Sequence, residues 1–421
     1  MISDQLVPLF IQKSIKDEFG VVNGIMDSIA SEFSNDTRQV FPIVVKFVCA
    51  WHSKMRQKFP TMVTNHVLHR VITGALAPVP DELANRTKFL RHFYNETISE
   101  YSCFFGEEKV DEALSEFDKT EFDGELFEKP FSADAHQGSF VSYYQPSETS
   151  GGETATSNVD VKLQTTGETV QALIHTYHFI RGKSYNDRLV FSPHFTGQIM
   201  AMFRAFSRFG NVTLVGPKGC GKSAMVNFCS YYLNMDLVKC PPDDLVGTRK
   251  KLIEAYKSAN EGVPKLLFVS IKNAKKAGKV FELLDKVFYY YDIPSGFTDK
   301  EKMDQLFETD SERHEALLDP KRLDNARNDI YFRIKDNLHV VIAMRPEVFV
   351  DTYRPYSNLY LKSGTVRMCQ WSDETLIAIA QERFTHAGME QDVAIGLRNV
   401  SIACASLHRQ MMSTGDVKEG A

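Results

Sequence analysis

The chain has 421 residues, 43% hydrophobic and 24% charged, with a formal net charge of −5. This is ordinary globular composition, long enough for two or three domains at roughly 100–200 residues each. So small a negative charge offers no basic field, and neither nucleic acid nor an anionic membrane is expected as a partner.

The cysteines (Cys49, Cys103, Cys220, Cys229, Cys240, Cys369 and Cys404) are odd in number and scattered, with no CxxC pair. That favours reduced thiols in a cytosolic compartment over a disulfide framework. The opening "MISDQLVPLFIQKSIKDEFG" lacks a basic stretch followed by an unbroken apolar run, so no signal peptide is expected. The most apolar segment, "VFPIVVKFVCAW", carries Lys46 and is too short to span a bilayer, which takes about 20 apolar residues.

Residues 1–105 read as helices. "VVNGIMDSIASEF" and "FPIVVKFVCAWHSKM" carry apolar residues at helical spacing. "LANRTKFLRHFYNETISEYSCFF" does the same, with Leu90, Phe93, Ile98, Tyr101 and Phe104 on one side. Prolines break the pattern at "KFPT" and "LAPVPDE". His66 and His69 sit three residues apart without a Cys or acidic partner at ligand spacing, so they read as surface or packing histidines. Residues 106–170 change character: "QPSETSGGETATSNVDVKLQTTGET" is poor in apolar residues and cannot offset its ordering entropy. It reads as a flexible insertion or linker.

Residues 171–365 show strand–helix alternation. "LVFSPHFTGQIMAMFRAFSRFG" is an apolar lead-in to an amphipathic helix closed by glycine. "NVTLVG", "DLVKC", "PKLLFVSI" and "NLHVVIAM" are strands; "GKSAMVNFCSYYLNM", "DDLVGTRKKLIEAYKSANEG" and "KVFELLDKVFYYYDIPSGF" are the helices between them. The pattern predicts a parallel sheet with helices on both faces, an α/β fold. Residues 366–421 turn helical again. "SDETLIAIAQERF" has Ser372 as N-cap, with Leu376, Ile379 and Phe384 along a buried face.

"GPKGCGKS" fits a phosphate-binding loop at Gly216, Gly221, Lys222 and Ser223. Glycines let successive N–H groups turn inward around a phosphate. Lys222 supplies a charge to the β/γ oxygens and Ser223 can ligate Mg2+. The helix that follows adds its N-terminal partial charge. The candidate binding set is Gly216, Pro217, Lys218, Gly219, Cys220, Gly221, Lys222, Ser223 and Ala224, with Ser223 as the metal-facing residue. Cys220 has two readings: a thiol with a lowered pKa beside Lys222, or merely a small tolerated side chain.

A hydrolysing enzyme of this kind carries carboxylates at the end of the strand beside the loop, one for Mg2+ and one to polarise water. The matching strand, Leu266–Ser270, runs into "IKNAKK", with Ile271 and Lys272 at those positions. "NLHVVIAM" ends in Arg345-Pro346. A guanidinium contacts phosphate but cannot accept a proton. No catalytic residue is therefore assigned. Lys272 and Arg345 either add positive charge near the γ-phosphate or point into solvent.

These residues resemble the fourth AAA+ module of a dynein heavy chain. The similarity runs from "RLVFSPHFTGQIMAMFRAFSRFGNVTLVGPKGCGKS" through "KVFELLDKVFYYYDIPSGF" to "FRIKDNLHVVIAMRPEVF". "FPTMVTNHVLHRVITGAL" and "FLRHFYNETISEY" are similar to the helical lid that ends the preceding, third module. The resemblance implies a P-loop AAA+ α/β domain with α-helical lid segments on both sides, and ATP or ADP with Mg2+ as ligands. It implies a nucleotide-binding segment of a ring-shaped, ATP-driven motor protein, with a regulatory or structural role, and the departures at Ile271, Lys272 and Arg345 make that segment hydrolysis-deficient in this reading. Its expected partners are neighbouring AAA+ modules of the same chain and, through the parent motor, dynein intermediate and light chains and microtubules. The implied location is the cytoplasm and cytoskeleton, including the axoneme of a cilium or flagellum. Two alternatives stand beside it. One is a stand-alone P-loop ATPase or kinase using Asp243 or Asp244; the other is a scaffold with an empty loop.

Overall fold

The structure, a computed structural model, describes residues 16–60, 63–76, 83, 85–117, 122, 140–146, 159–165, 170–175, 177, 189–241, 244–290, 305–306, 312, 319–353, 355–356, 359–360, 362–386 and 400–410. The longer helices that come first are α1 Lys16–Ile29, α2 Phe41–Lys58, α3 Asn65–Ala75, α4 Arg86–Phe105 and α5 Glu107–Ser115, with a single turn, Asn35–Arg38, between α1 and α2. Asn85 starts α4 by accepting from the backbone N–H of Thr87 and Lys88. The single apolar side expected for α4 is incomplete. Phe89 and Tyr94 are as buried as Leu90, Phe93, Tyr101 and Phe104, and so are the polar His92, Glu96 and Glu100, while Ile98 is only half-buried. α4 has neighbours all round it, so its polar side meets other side chains instead of water.

The 106–170 segment, read from the sequence as a flexible insertion or linker, contains α5 and two antiparallel strands. Strand β1 Phe140–Pro146 pairs with β2 Val159–Thr165, from Phe140 opposite Thr165 to Pro146 opposite Val159. The period-2 alternation in "VDVKLQT" suits a strand. The Ser/Thr/Gly-rich stretch between the two strands masks it in any average of composition.

Residues 193–367 form the expected α/β layer. Helix α6 Pro193–Phe209 is followed by β3 Val212–Val215, α7 Lys222–Tyr232, β4 Asp236–Lys239, α8 Leu245–Asn260, β5 Lys265–Ile271 and α9 Ala274–Tyr290. Next come α10 Pro320–Asn337, β6 Leu338–Met344, α11 Pro346–Tyr353, β7 Gly364–Arg367 and finally α12 Asp373–His386. The exit of α9, residues 291–297, lies outside the described residues. The sheet is wholly parallel in the order β4-β5-β6-β3-β7. β3 and β6 are buried along their whole length and β4 is an exposed edge, so the near-continuous apolar runs belong to the centre. β7 is a strand the sequence reading did not find: "GTVR" is four residues long and has no apolar run.

Local capping sets the helix ends. Ser192 accepts from Phe195 N–H to start α6, and Gly210 ends it in the left-handed region. Next to it, Asn211 ties three strands together: its side-chain oxygen accepts from Val340 N–H, and its backbone oxygen accepts from Gly364 N–H.

The helical region packs on the α/β layer through buried charge. Arg208 of α6 pairs with Glu96 and, at 3.4 Å, with Glu100 of α4; Arg70 of α3 meets Glu100 at 2.5 Å. Arg70 also donates to the carbonyls of Tyr360 and Ser363, and Arg367 to that of Phe104. Burial, then Arg70, lowers Arg208 to about 9. Arg208→Ala is expected to destabilise the chain by about 3–5 kcal/mol in urea denaturation, because buried carboxylate charge loses a partner.

His52 and His92 are both lowered to about 3, by burial first and then by nearby arginines (Arg56 for His52; Arg208 and Arg204 for His92). Their folded pKa lies below the unfolded value, so between the two the unfolded chain holds more protons. Stability is therefore fully present above about 6.5 and falls as pH drops towards about 3. The urea midpoint should be lower at pH 5 than at pH 7. The drop should shrink when both histidines are replaced by glutamine; an equal drop in that variant would count against these two as its source.

Candidate functional site

The site begins where β3 ends. The two partners of β3 hold it in register, with Val215 opposite Met344 of β6 and Arg367 of β7. The loop then leaves flush with β6: Gly216 N–H donates to Met344 O at 3.1 Å. Gly219 and Gly221 have φ of 80° and 86°, the left-handed region that favours glycine. A Cβ at Gly216 would come within 2.7 Å of Met368 O, and one at Gly221 within 2.5 Å of the Trp371 ring. Gly221 precedes α7 with no side-chain cap, which leaves the first N–H groups of that helix for a ligand.

All nine expected residues, Gly216 to Ala224, fall in this loop and the first turn of α7. Lys222 Nζ donates to the carbonyls of Gly216 and Pro217, both at 2.6 Å, and lies 3.5 Å from Cys220 Sγ. Ser223 is exposed at the start of the helix. The lowered thiol pKa considered for Cys220 is corrected here. Burial pushes the thiol up and outweighs the neighbouring Lys222 charge.

Two further expectations change. The strand beside β3 is β6, whereas β5, with Ile271, is one strand further out. Ile271 pairs with Met344, so Gly216, Arg345 and Lys272 follow one aligned row at the carboxyl edge of the sheet. Ile271 is buried in the core, Lys272 is exposed and Arg345 is half-buried. Asp244 is engaged as the N-cap of α8, accepting from Val246 and Gly247 N–H. It follows edge strand β4, three strands from β3, or about 14 Å at sheet spacing. Asp243 lies outside the described residues.

A cavity of about 580 Å3 opens beside the loop. Lys218, Gly219 and Cys220 of the loop line it together with Gln370, Trp371, Ser372, Leu376 and residues 408–410. Ser372 caps α12 by accepting from Thr375 N–H, as expected. The buried face of α12 differs from expectation, with Thr375 buried but Leu376 and Ile379 only half-buried. Leu376 faces the cavity, which accounts for its partial exposure. The side chain of Phe384 lies outside the described residues.

Sequence reasoning missed Trp371, His408 and Arg409. Trp371 Nε1 donates to Gly219 O at 2.9 Å, and Arg409 pairs with Asp373 at 2.8 Å. The one available signal was that Trp371 immediately precedes the N-cap Ser372.

A phosphate loop between a central parallel strand and a helix defines a P-loop α/β domain. Residues 188–416, more than half of the chain, match the family described as P-loop containing dynein motor region D4. The chain belongs to that family, and its five-stranded parallel sheet with flanking helices is an AAA+ fold. It is also similar to cytoplasmic dynein 2 heavy chain 1 of Chlamydomonas reinhardtii, 28% identical over 185 residues. That stretch covers 42% of this chain and 4% of the relative. This is a dynein-related segment spanning a small part of the relative's length. Among the described residues no helix is long and apolar enough to cross a membrane.

Gly216→Ala is expected to cost about 1–3 kcal/mol in urea denaturation, because the Met368 carbonyl is backbone and cannot swing aside. Stability equal to the unaltered chain would contradict the close approach described here.

Proposed function

We propose that this chain is a nucleotide-binding, hydrolysis-deficient AAA+ segment of a dynein-like microtubule motor heavy chain. Residues 1–105 would be the lid ending a third module, 106–170 an insertion or linker, 171–365 the large domain of a fourth, and 366–421 the start of its lid. Neighbouring modules of the same chain would be its direct partners. Dynein intermediate and light chains and microtubules would be reached through the parent motor, in the cytoplasm or in a cilium or flagellum. Nucleotide in the cavity would join the large domain to the lid and stiffen that part of the ring.

The observation that carries the reading is the aligned row at the sheet's carboxyl edge. Gly216 opens a loop in which two glycines are left-handed and the start of α7 has no side-chain cap, while the neighbouring positions hold Arg345 and Lys272. A loop built this way grips phosphate. Ile271, Lys272 and Arg345 supply no proton acceptor there, and lack of a general base alone slows hydrolysis about 10²–10⁴-fold. The residues fit ATP or ADP: N–H groups of the loop and α7 would hold the phosphates, and Lys222 would move to them from its own loop carbonyls. For Mg2+ the fit is narrower, because Ser223 provides a hydroxyl and the ends of β5 and β6 provide no carboxylate. Mg2+ would have to be held mainly by the phosphates and water.

The competing enzyme reading relies on Asp243 or Asp244. The capping role of Asp244 and its place beyond the edge strand argue against it.

ATP or ADP is expected to raise the melting temperature of the chain, with stabilisation of about 2.7 kcal/mol at a hundredfold excess over Kd. The shift should vanish in Lys222→Ala. Steady ATP turnover by the purified chain, abolished in Lys222→Ala, would overturn the hydrolysis-deficient reading. No thermal shift with either nucleotide would favour an empty loop.

A further inference from the structure

Resting on the nucleotide reading above, the geometry points to Trp371 as the residue that stacks the planar base of a nucleoside di- or triphosphate in this site. Trp371 lines the cavity beside the phosphate loop, with an edge of its ring against Gly221, and is only partly buried. Its single polar group is already engaged, since Nε1–H donates to Gly219 O at 2.9 Å. What remains for a ligand is an aromatic surface. The ring is held from behind by Phe195, itself buried, with centroids 5.3 Å apart and planes tilted by 50°. One hydrogen bond and one ring contact thus fix the indole before any ligand arrives. That cuts the ordering cost of binding.

The neighbouring lining supports the same division of labour. Leu376 adds apolar surface beside Trp371, while Lys218 to Cys220 form the phosphate side. A cavity of about 580 Å3 has room for a whole nucleotide. Stacking uses the π-face that every base presents and reads no base edge. The Trp371 contribution should therefore be similar for ATP and GTP.

The test compares ATP with inorganic tripolyphosphate, which has the phosphates but no base, by titration calorimetry on the full chain. Trp371→Ala should weaken ATP at least about fivefold, the lower end of what one base stack contributes, and leave tripolyphosphate within about twofold. Trp371→Phe should keep most of the ATP affinity. Trp371→Leu, which retains apolar bulk without the aromatic face, should lose it like alanine and serves if the alanine variant does not fold. Fluorescence gives a second reading. Trp51, the other tryptophan, is fully buried among the N-terminal helices, so an ATP-dependent change should disappear in Trp371→Phe. Equal losses for ATP and tripolyphosphate in the alanine and leucine variants would overturn the stacking role, and so would unchanged ATP affinity. Binding of tripolyphosphate with no gain from the base would overturn it while leaving the phosphate grip intact. If neither compound binds the unaltered chain, the nucleotide reading falls, and this inference with it.

Discussion

Everything at the site depends on the parallel pairing of β3 on both of its edges. Four residues, Val212–Val215, are held between β6 and β7 and buried throughout. A strand buried on both faces and paired on both edges has no freedom to slip, because any shift would leave backbone groups unpaired away from water. Asn211 adds a clamp at the amino end through Val340 and Gly364. The phosphate loop inherits that rigidity. Gly216 begins where the ladder ends, and Met368, just past β7, sits against it.

Rigid support explains why the loop can hold an arrangement that most residues would resist. Two glycines are left-handed and two positions lack room for a Cβ. Lys222 turns back onto the carbonyls of its own loop, which keeps the ammonium hydrogen-bonded. A ligand must therefore offer oxygens better than two carbonyls. Phosphate does so through charge.

The parts legible in the sequence were those with a strong local period or a fixed spacing. β3, β5 and β6 announce themselves because central parallel strands are nearly all apolar, and α6 because Ser192 and Gly210 bracket an amphipathic run. The loop was legible because its glycine spacing is set by the phosphate it fits. β7 was not: four residues between a glycine and an arginine carry no period, and only the ladder to β3 makes them a strand. The order of strands was also out of reach, and β5 was taken for the neighbour of the loop when β6 fills that place. Trp371 and Arg409 escaped because they come to the loop's cavity from far along the chain, by contacts no spacing rule encodes. The polar side of α4 was hidden for the same reason, since Glu96 and Glu100 look like solvent-facing residues until Arg70 and Arg208 close over them.

That last contact bears on where a folding unit can be cut. The family similarity spans 188–416, yet Arg208 inside that span finds its buried carboxylates on α4, far outside it. A piece trimmed to the matched segment would carry the Arg208 guanidinium without Glu96 and Glu100, and Arg367 without the Phe104 carbonyl it donates to. Homology and packing part company here: the matched stretch stops short of the carboxylates that one of its own buried arginines is paired with.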